Sequence, residues 1–222
     1  MTAMPTQIDN IAFYECMQLQ KFHELAQITG FHTNPDLKLI FPQLQHARSV
    51  VELGAGYGRC VFGLLEMGYT GKIYAVDRIQ RLLELIEQQD RTGQVVSLHQ
   101  DIRELDLPEH TDAVLWLWSG ILEQRPEEQL VCLKRIYSQL YAGGKVFVDA
   151  PRDKIKYVGK KMNRKYIRVE MEWGTLEGYL PYREDIEEMA AAAGYVRVEE
   201  LPYTSETGLN RMMYVLHKGA SR

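Results

Sequence analysis

Residues 50–59 read Val50-Val51-Glu52-Leu53-Gly54-Ala55-Gly56-Tyr57-Gly58-Arg59. A short apolar run ends in an acid, three glycines follow at every second position, and Val61, Phe62, Leu64 and Leu65 then open a helical pattern. Strand, glycine turn and helix form the layout that lets a backbone pass close to a nucleotide. Glycine tolerates positive φ in such a turn and has no Cβ to hold a ligand away. The spacing is G-x-G-x-G with Glu52 two residues ahead, which differs from the G-x-G-x-x-G of a dinucleotide fold and counts against an NAD-dependent oxidoreductase.

Alternation of strand and helix continues from there. Apolar runs predict strands at 50–53, 72–77, 94–98, 112–118 and 145–149, with helices over 56–67, 78–89 and 126–140. Near-continuous apolar strands between helices indicate a parallel sheet covered on both faces. Before this region, apolar spacing predicts one helix over 8–29, capped by Asp9 or Asn10 and ended at Gly30, and a second from Pro35 behind Asn34 with a break or kink near Pro42. After Asp149 the spacing predicts a hairpin (166–172 and 175–180), a helix over 182–193 and two final strands, 195–201 and 211–217.

The net charge of −4 gives no global attraction to nucleic acid or anionic membrane. The longest apolar run, Ala113–Trp118, is far short of a membrane span, and the first residues carry no signal-peptide pattern. Three cysteines, Cys16, Cys60 and Cys132, share no metal-ligand spacing and are read as reduced thiols, so a cytoplasmic location is expected, with no metal.

Asp77 lies about 20 residues beyond Gly58, at the end of the second strand, where a carboxylate accepts both hydroxyls of a ribose. Its neighbour Arg78 weakens any exclusion of a 2′-phosphate. Glu52 suits a cationic ligand group such as an α-amino group, or else bonds loop N–H groups. Asp101 either bonds an exocyclic adenine amine, with Ile102 packed on the ring, or caps a helix.

Together these segments resemble the class I S-adenosylmethionine-dependent methyltransferases. Val50–Arg59 resembles that family's first motif, Ala75-Val76-Asp77 its second, Gln100-Asp101-Ile102 its third, and the last two strands its antiparallel pair. The resemblance covers about residues 48–218. It implies a three-layer Rossmann-like fold: a mostly parallel seven-stranded sheet with an antiparallel C-terminal strand, a helical cap (1–47) and a small insert (151–181) that acts as a lid. It also implies S-adenosylmethionine as cofactor, held by Glu52, Gly54, Ala55, Gly56, Tyr57, Gly58, Asp77, Arg78, Asp101, Ile102 and Trp118.

After the fourth strand the sequence is Trp116-Leu117-Trp118-Ser119-Gly120, without the Asn/Asp-Pro-Pro-aromatic pattern of methyltransferases that act on nucleic-acid bases. Where many small-molecule members carry a His, this chain has Gln124, so Glu123 is either the candidate base or a solvated acid at a helix start. Tyr14 is the candidate lid residue at the acceptor. Trp116 and Trp118 are expected on one face of the fourth strand, with Trp118 beside the cofactor. The expected acceptor is a small molecule. One rival is an RNA or protein methyltransferase that docks through the basic run 152–168, and another is a non-enzymatic protein that only binds the cofactor.

Overall fold

A computed structural model describes residues 8–152, 160–161 and 165–220. Seven strands form the main sheet: β1 (Ser49–Leu53), β2 (Lys72–Asp77), β3 (Val95–His99), β4 (Thr111–Trp116), β5 (Leu140–Pro151), β9 (Arg197–Thr204) and β10 (Asn210–His217). Their order is β3-β2-β1-β4-β5-β10-β9. Strands β1 to β5 pair in parallel, and β10 runs antiparallel to both neighbours. This is the expected three-layer α/β fold.

Alternation along the strands supplies two cores. On one face Val50, Ile73, Leu115 and Phe147 pack on helices α3 (Pro35–Leu44), α4 (Arg59–Glu66) and α5 (Gln80–Gln89). On the other, Val51, Val76, Trp116 and Val148 pack on α6 (Pro126–Gln139) and α7 (Arg183–Ala193). Leu37, Ile40 and Leu44 of α3 are fully buried. Each such side chain is worth about 1.5–3 kcal/mol, so α3 is part of the sheet's core.

Two expectations about the N-terminal helices are corrected. The single helix over 8–29 is two, α1 (Ile11–Cys16) and α2 (Leu19–Thr29), with Met17 and Gln18 extended between them. The Arg81 guanidinium on α5 takes the carbonyls of Tyr14 and Met17 at 2.5 and 2.7 Å, which satisfies the end of α1 from outside. Pro42 causes no break in α3, which runs through it: Pro42 is exposed, and so is Lys38, whose carbonyl has no N–H to accept at position 42. Asn34 precedes α3 in the left-handed region, but its side chain does not cap the helix.

The fourth strand also differs from expectation. It ends at Trp116, and Trp118 and Ser119 adopt φ values of 47° and 68°. Trp118 therefore leaves the strand face it was expected to share with Trp116. This costly turn is held by buried Asp149 on β5, which accepts the Ser119 N–H at 3.2 Å and pairs with Arg211 of β10. Arg211 also donates to the Ser119 hydroxyl at 2.6 Å.

A second, three-stranded sheet contains β6 (Lys160–Lys161), β7 (Tyr166–Met171) and β8 (Gly174–Tyr179), the expected hairpin. Lys154, Lys156 and Arg164 of the basic run lie outside the described residues, as do the side chains of Lys160 and Lys161. Of the described remainder, Lys165 pairs with Asp185 at 2.6 Å, and Arg168 lies near Glu170 and Glu177. Among the described residues no helix is long and apolar enough to cross a membrane, and no group of His, Cys, Asp and Glu has the arrangement of a metal site.

Candidate active site

The strand order reverses between β1 and β4, and in open α/β sheets ligands bind in the crevice beyond the carboxyl ends at such a point. A cavity of about 380 Å³ lies there. The β1 glycine turn and Asp77 form its floor, the Trp118 turn one side, and α1, α2 and the β7–β8 hairpin its cover.

The three glycines have different reasons to be glycine. A Cβ on Gly54 would meet nothing within 4 Å, and one on Gly56 only the Gly54 carbonyl at 3.9 Å. Both have positive φ, 69° and 55°, so the turn presents open space beside bare backbone. At Gly58 (φ 83°) a Cβ would meet Phe62 at 2.7 Å and Ile86 at 3.0 Å, so this glycine serves the packing of α4 on α5.

Asp77 is 9% exposed, and its two oxygens accept the backbone N–H groups of Gly56 at 2.7 Å and Ile79 at 2.8 Å. Burial raises its pKa, and those bonds only partly offset the effect. The Arg78 N–H also acts on this carboxylate, and acceptor capacity remains beside these bonds. Glu52 is 5% exposed, and burial pushes its pKa up to about 8, against smaller opposing effects of Cys60, Arg59 and Val61. Its Oε2 has no partner among the described residues.

Arg59 follows the glycine run and is also buried. Its guanidinium grips Asp36 with bonds of 2.9 and 2.7 Å and Asn34 at 2.9 Å, yet its Nε has no partner. The cavity wall thus holds a buried unpartnered acceptor and a buried unpartnered donor. Sequence reasoning gave Arg59 no role. The available signal was a cation in the first turn of a helix, where the macrodipole disfavours it.

Across the cavity, the phenol of Tyr14 on α1 donates to Oε1 of Glu123, in a 3₁₀ turn after β4. The Asn10 amide donates to Glu123 Oε2 at 3.3 Å and to the Glu177 carbonyl at 2.9 Å, and accepts the Glu177 N–H at 3.0 Å. Asn10 was read only as a helix cap; instead it fixes α1 to the hairpin and to Glu123. Burial raises the Glu123 pKa, partly offset by Tyr14 and Asn10, and burial with the Glu123 charge holds the Tyr14 pKa well above the ordinary phenol range. Tyr14 therefore stays protonated as a donor, and the Glu123 carboxylate accepts its hydrogen bond.

The remaining expected residues divide. Ala55, Tyr57, Arg78, Ile102 and Trp118 line the cavity. Trp118 packs on Phe31 at 5.7 Å and over the Arg59 guanidinium. Asp101 does not line the cavity. Its carboxylate caps a 3₁₀ turn through the Arg103 N–H at 2.8 Å and pairs with the Arg103 side chain, so the capping alternative is the one observed. Its neighbours Gln100 and Ile102 face the cavity instead.

Residues 50–144 match the family model described as a methyltransferase domain. Over that stretch the chain carries a methyltransferase domain. Solved structures of such methyltransferases share its fold. A 1,6-didemethyltoxoflavin-N1-methyltransferase from Burkholderia thailandensis, solved with 1,6-didemethyltoxoflavin and S-adenosylhomocysteine, aligns over 99% of this chain and 93% of its own, at TM-score 0.70 and 18% identity. An S-adenosylmethionine-dependent methyltransferase from Clostridium acetobutylicum aligns over 90% of this chain and 99% of its own (TM-score 0.68, 15% identity). An amino pentose methyltransferase from Micromonospora echinaspora, solved with S-adenosylmethionine, aligns over 91% and 97% (0.64, 17%). At these identities the likeness is one of fold. No curated protein matches the sequence. The methyltransferase cofactor is zwitterionic at its amino-acid end, and the unpartnered Glu52 Oε2 and Arg59 Nε fit such a group.

Proposed function

We propose that this methyltransferase transfers the methyl group of S-adenosylmethionine to a small-molecule acceptor bound between α1, the β7–β8 hairpin and the Trp118 turn, with Glu123 as the proton acceptor. The observation that carries this reading is the Tyr14–Glu123 pair, set in the same cavity as the glycine turn.

Glu52 and Arg59 hold the cofactor's ammonium and carboxylate, Gly54 and Gly56 give it room, Asp77 takes the ribose hydroxyls, and Ile102 packs on the adenine. The cofactor supplies a methyl carbon on a positively charged sulfur, which keeps the carbon–sulfur electron pair as the methyl leaves. Glu123 takes the proton that the acceptor's nucleophilic atom loses. Tyr14 and Asn10 orient that carboxylate, and the apolar cover excludes water. Placement of this kind contributes roughly 7–11 kcal/mol to such reactions, and a positioned base adds about 10²–10⁴ in rate. Two of the structural neighbours are named for small acceptors, 1,6-didemethyltoxoflavin and an amino pentose, which supports the size class.

Formation of S-adenosylhomocysteine, followed by mass spectrometry against a panel of small molecules, tests the proposal. The expected result is turnover with at least one of them that falls by 10²–10⁴ in Glu123→Gln. Turnover confined to RNA or protein substrates contradicts it.

A further inference from the structure

We infer that the acceptor is a cationic amine on an apolar or aromatic body, its ammonium group held by Glu123. This rests on the proposed methyltransferase reading and goes beyond it by naming the acceptor's charge.

The argument starts from the charged side chains that line the cavity: Glu52, Arg59, Asp77, Arg78, Glu123 and Glu177. Three of these have an opposite charge nearby within the chain. Arg59 pairs with Asp36 at 2.7 Å, Arg78 reaches Asp101 at 3.5 Å, and Glu177 reaches Arg168 at 3.8 Å. Glu52 and Asp77 are assigned to the cofactor. Glu123 is left. Its described hydrogen-bond donors, Tyr14 and Asn10, are both neutral, and no cation lies within ion-pair distance of it among the described residues; Arg78 acts on it only from farther away and reaches Asp101 instead.

A carboxylate in such surroundings is costly unless a cation joins it. The walls around it are apolar: Phe13, Met17, Phe22, Met171 and Leu176 line the same cavity. Each carboxylate oxygen accepts one of the two described bonds, so acceptor capacity remains for a ligand. An ammonium group brings the missing charge and several N–H donors. A hydroxyl brings a hydrogen bond without the charge, and a phenolate or carboxylate would be repelled.

The same contact prepares the nitrogen. A protonated amine has no lone pair with which to attack carbon. Transfer of one N–H proton to the Glu123 carboxylate breaks the N–H bond, forms an O–H bond and leaves the electron pair on nitrogen. That pair forms the bond to the methyl carbon, and Glu123 later gives its proton to solvent.

The test uses the full chain saturated with S-adenosylhomocysteine, titrated calorimetrically with three pairs of compounds matched in shape: 2-phenylethylamine and 2-phenylethanol, tryptamine and tryptophol, octylamine and octanol. The inference expects the amine of at least one pair to bind at least 10-fold more tightly than its alcohol. That preference should fall below about 3-fold in Glu123→Gln. S-adenosylhomocysteine affinity, measured first in each protein, confirms that the variant folds. Equal binding within every pair, no binding by any of the six, or an amine preference that survives in Glu123→Gln overturns the inference. Failure of the wild type to bind S-adenosylhomocysteine instead overturns the methyltransferase reading itself.

Discussion

The phenol of Tyr14 donates to the carboxylate of Glu123 across 109 residues of chain, and both side chains line the cavity that holds the glycine turn. A donor of this kind favours the ionised carboxylate. Removing it in Tyr14→Phe should raise the Glu123 pKa further, because the bond favours the ionised form. Glu123 is the proton acceptor only when ionised, so the acid limb of activity should move to higher pH. Carbon-13 titration of the Glu123 carboxyl measures this directly, and an unchanged midpoint would show that the two groups are not coupled.

The buried Glu52 gives a second pH effect, of calculable sign. With a pKa of about 8 it is protonated in the free protein at pH 6.5. A cofactor ammonium beside it would favour the carboxylate, so binding should release close to one proton, and affinity should rise as pH increases toward 8. Calorimetry in two buffers of different ionisation enthalpy reads the proton count. Glu52→Gln should release almost none; an unchanged release would remove Glu52 from the cofactor site.

Glycine substitutions should separate room for a ligand from packing. Gly54→Ala and Gly56→Ala place a methyl in open space, at a backbone cost of about 1–2 kcal/mol each, and should weaken S-adenosylhomocysteine binding by more than 10-fold. Gly58→Ala drives a methyl against Phe62 and Ile86 and should cost about 1–3 kcal/mol of stability through overpacking alone, beyond its backbone strain. Urea midpoints and binding isotherms on the three variants distinguish these outcomes. Unaltered binding in both Gly54→Ala and Gly56→Ala would contradict the cradle.

Much of this architecture was legible in the chain. The strands are compact apolar runs, and the Glu52–Gly58 segment with Asp77 at its distance marks the floor of the cavity. What escaped the sequence depends on partners far along the chain. The break between α1 and α2 is stabilised by Arg81, more than 60 residues away. The left-handed turn at Trp118 and Ser119 opposes local preference and is held by Asp149 and Arg211. Asp101 is a local case instead: its carboxylate accepts the N–H of Arg103, two residues on, as a cap.

That buried pair gives a fourth prediction. Arg211→Met leaves Asp149 as an uncompensated buried charge, which typically costs about 3–5 kcal/mol. The Asp149→Asn, Arg211→Met double variant should recover most of that loss. Both are read from urea midpoints; a loss under about 1 kcal/mol in the single variant would show that the pair does not hold the turn.

The most direct test of the central claim, that this cavity holds S-adenosylmethionine through the glycine turn and Asp77, is calorimetric titration of S-adenosylhomocysteine and NAD into the wild type and Asp77→Ala. The account expects saturable binding of S-adenosylhomocysteine at one site, weakened in Asp77→Ala by about 1–3 kcal/mol, and no binding of NAD. Binding of NAD without S-adenosylhomocysteine, or S-adenosylhomocysteine affinity indifferent to Asp77, would contradict it.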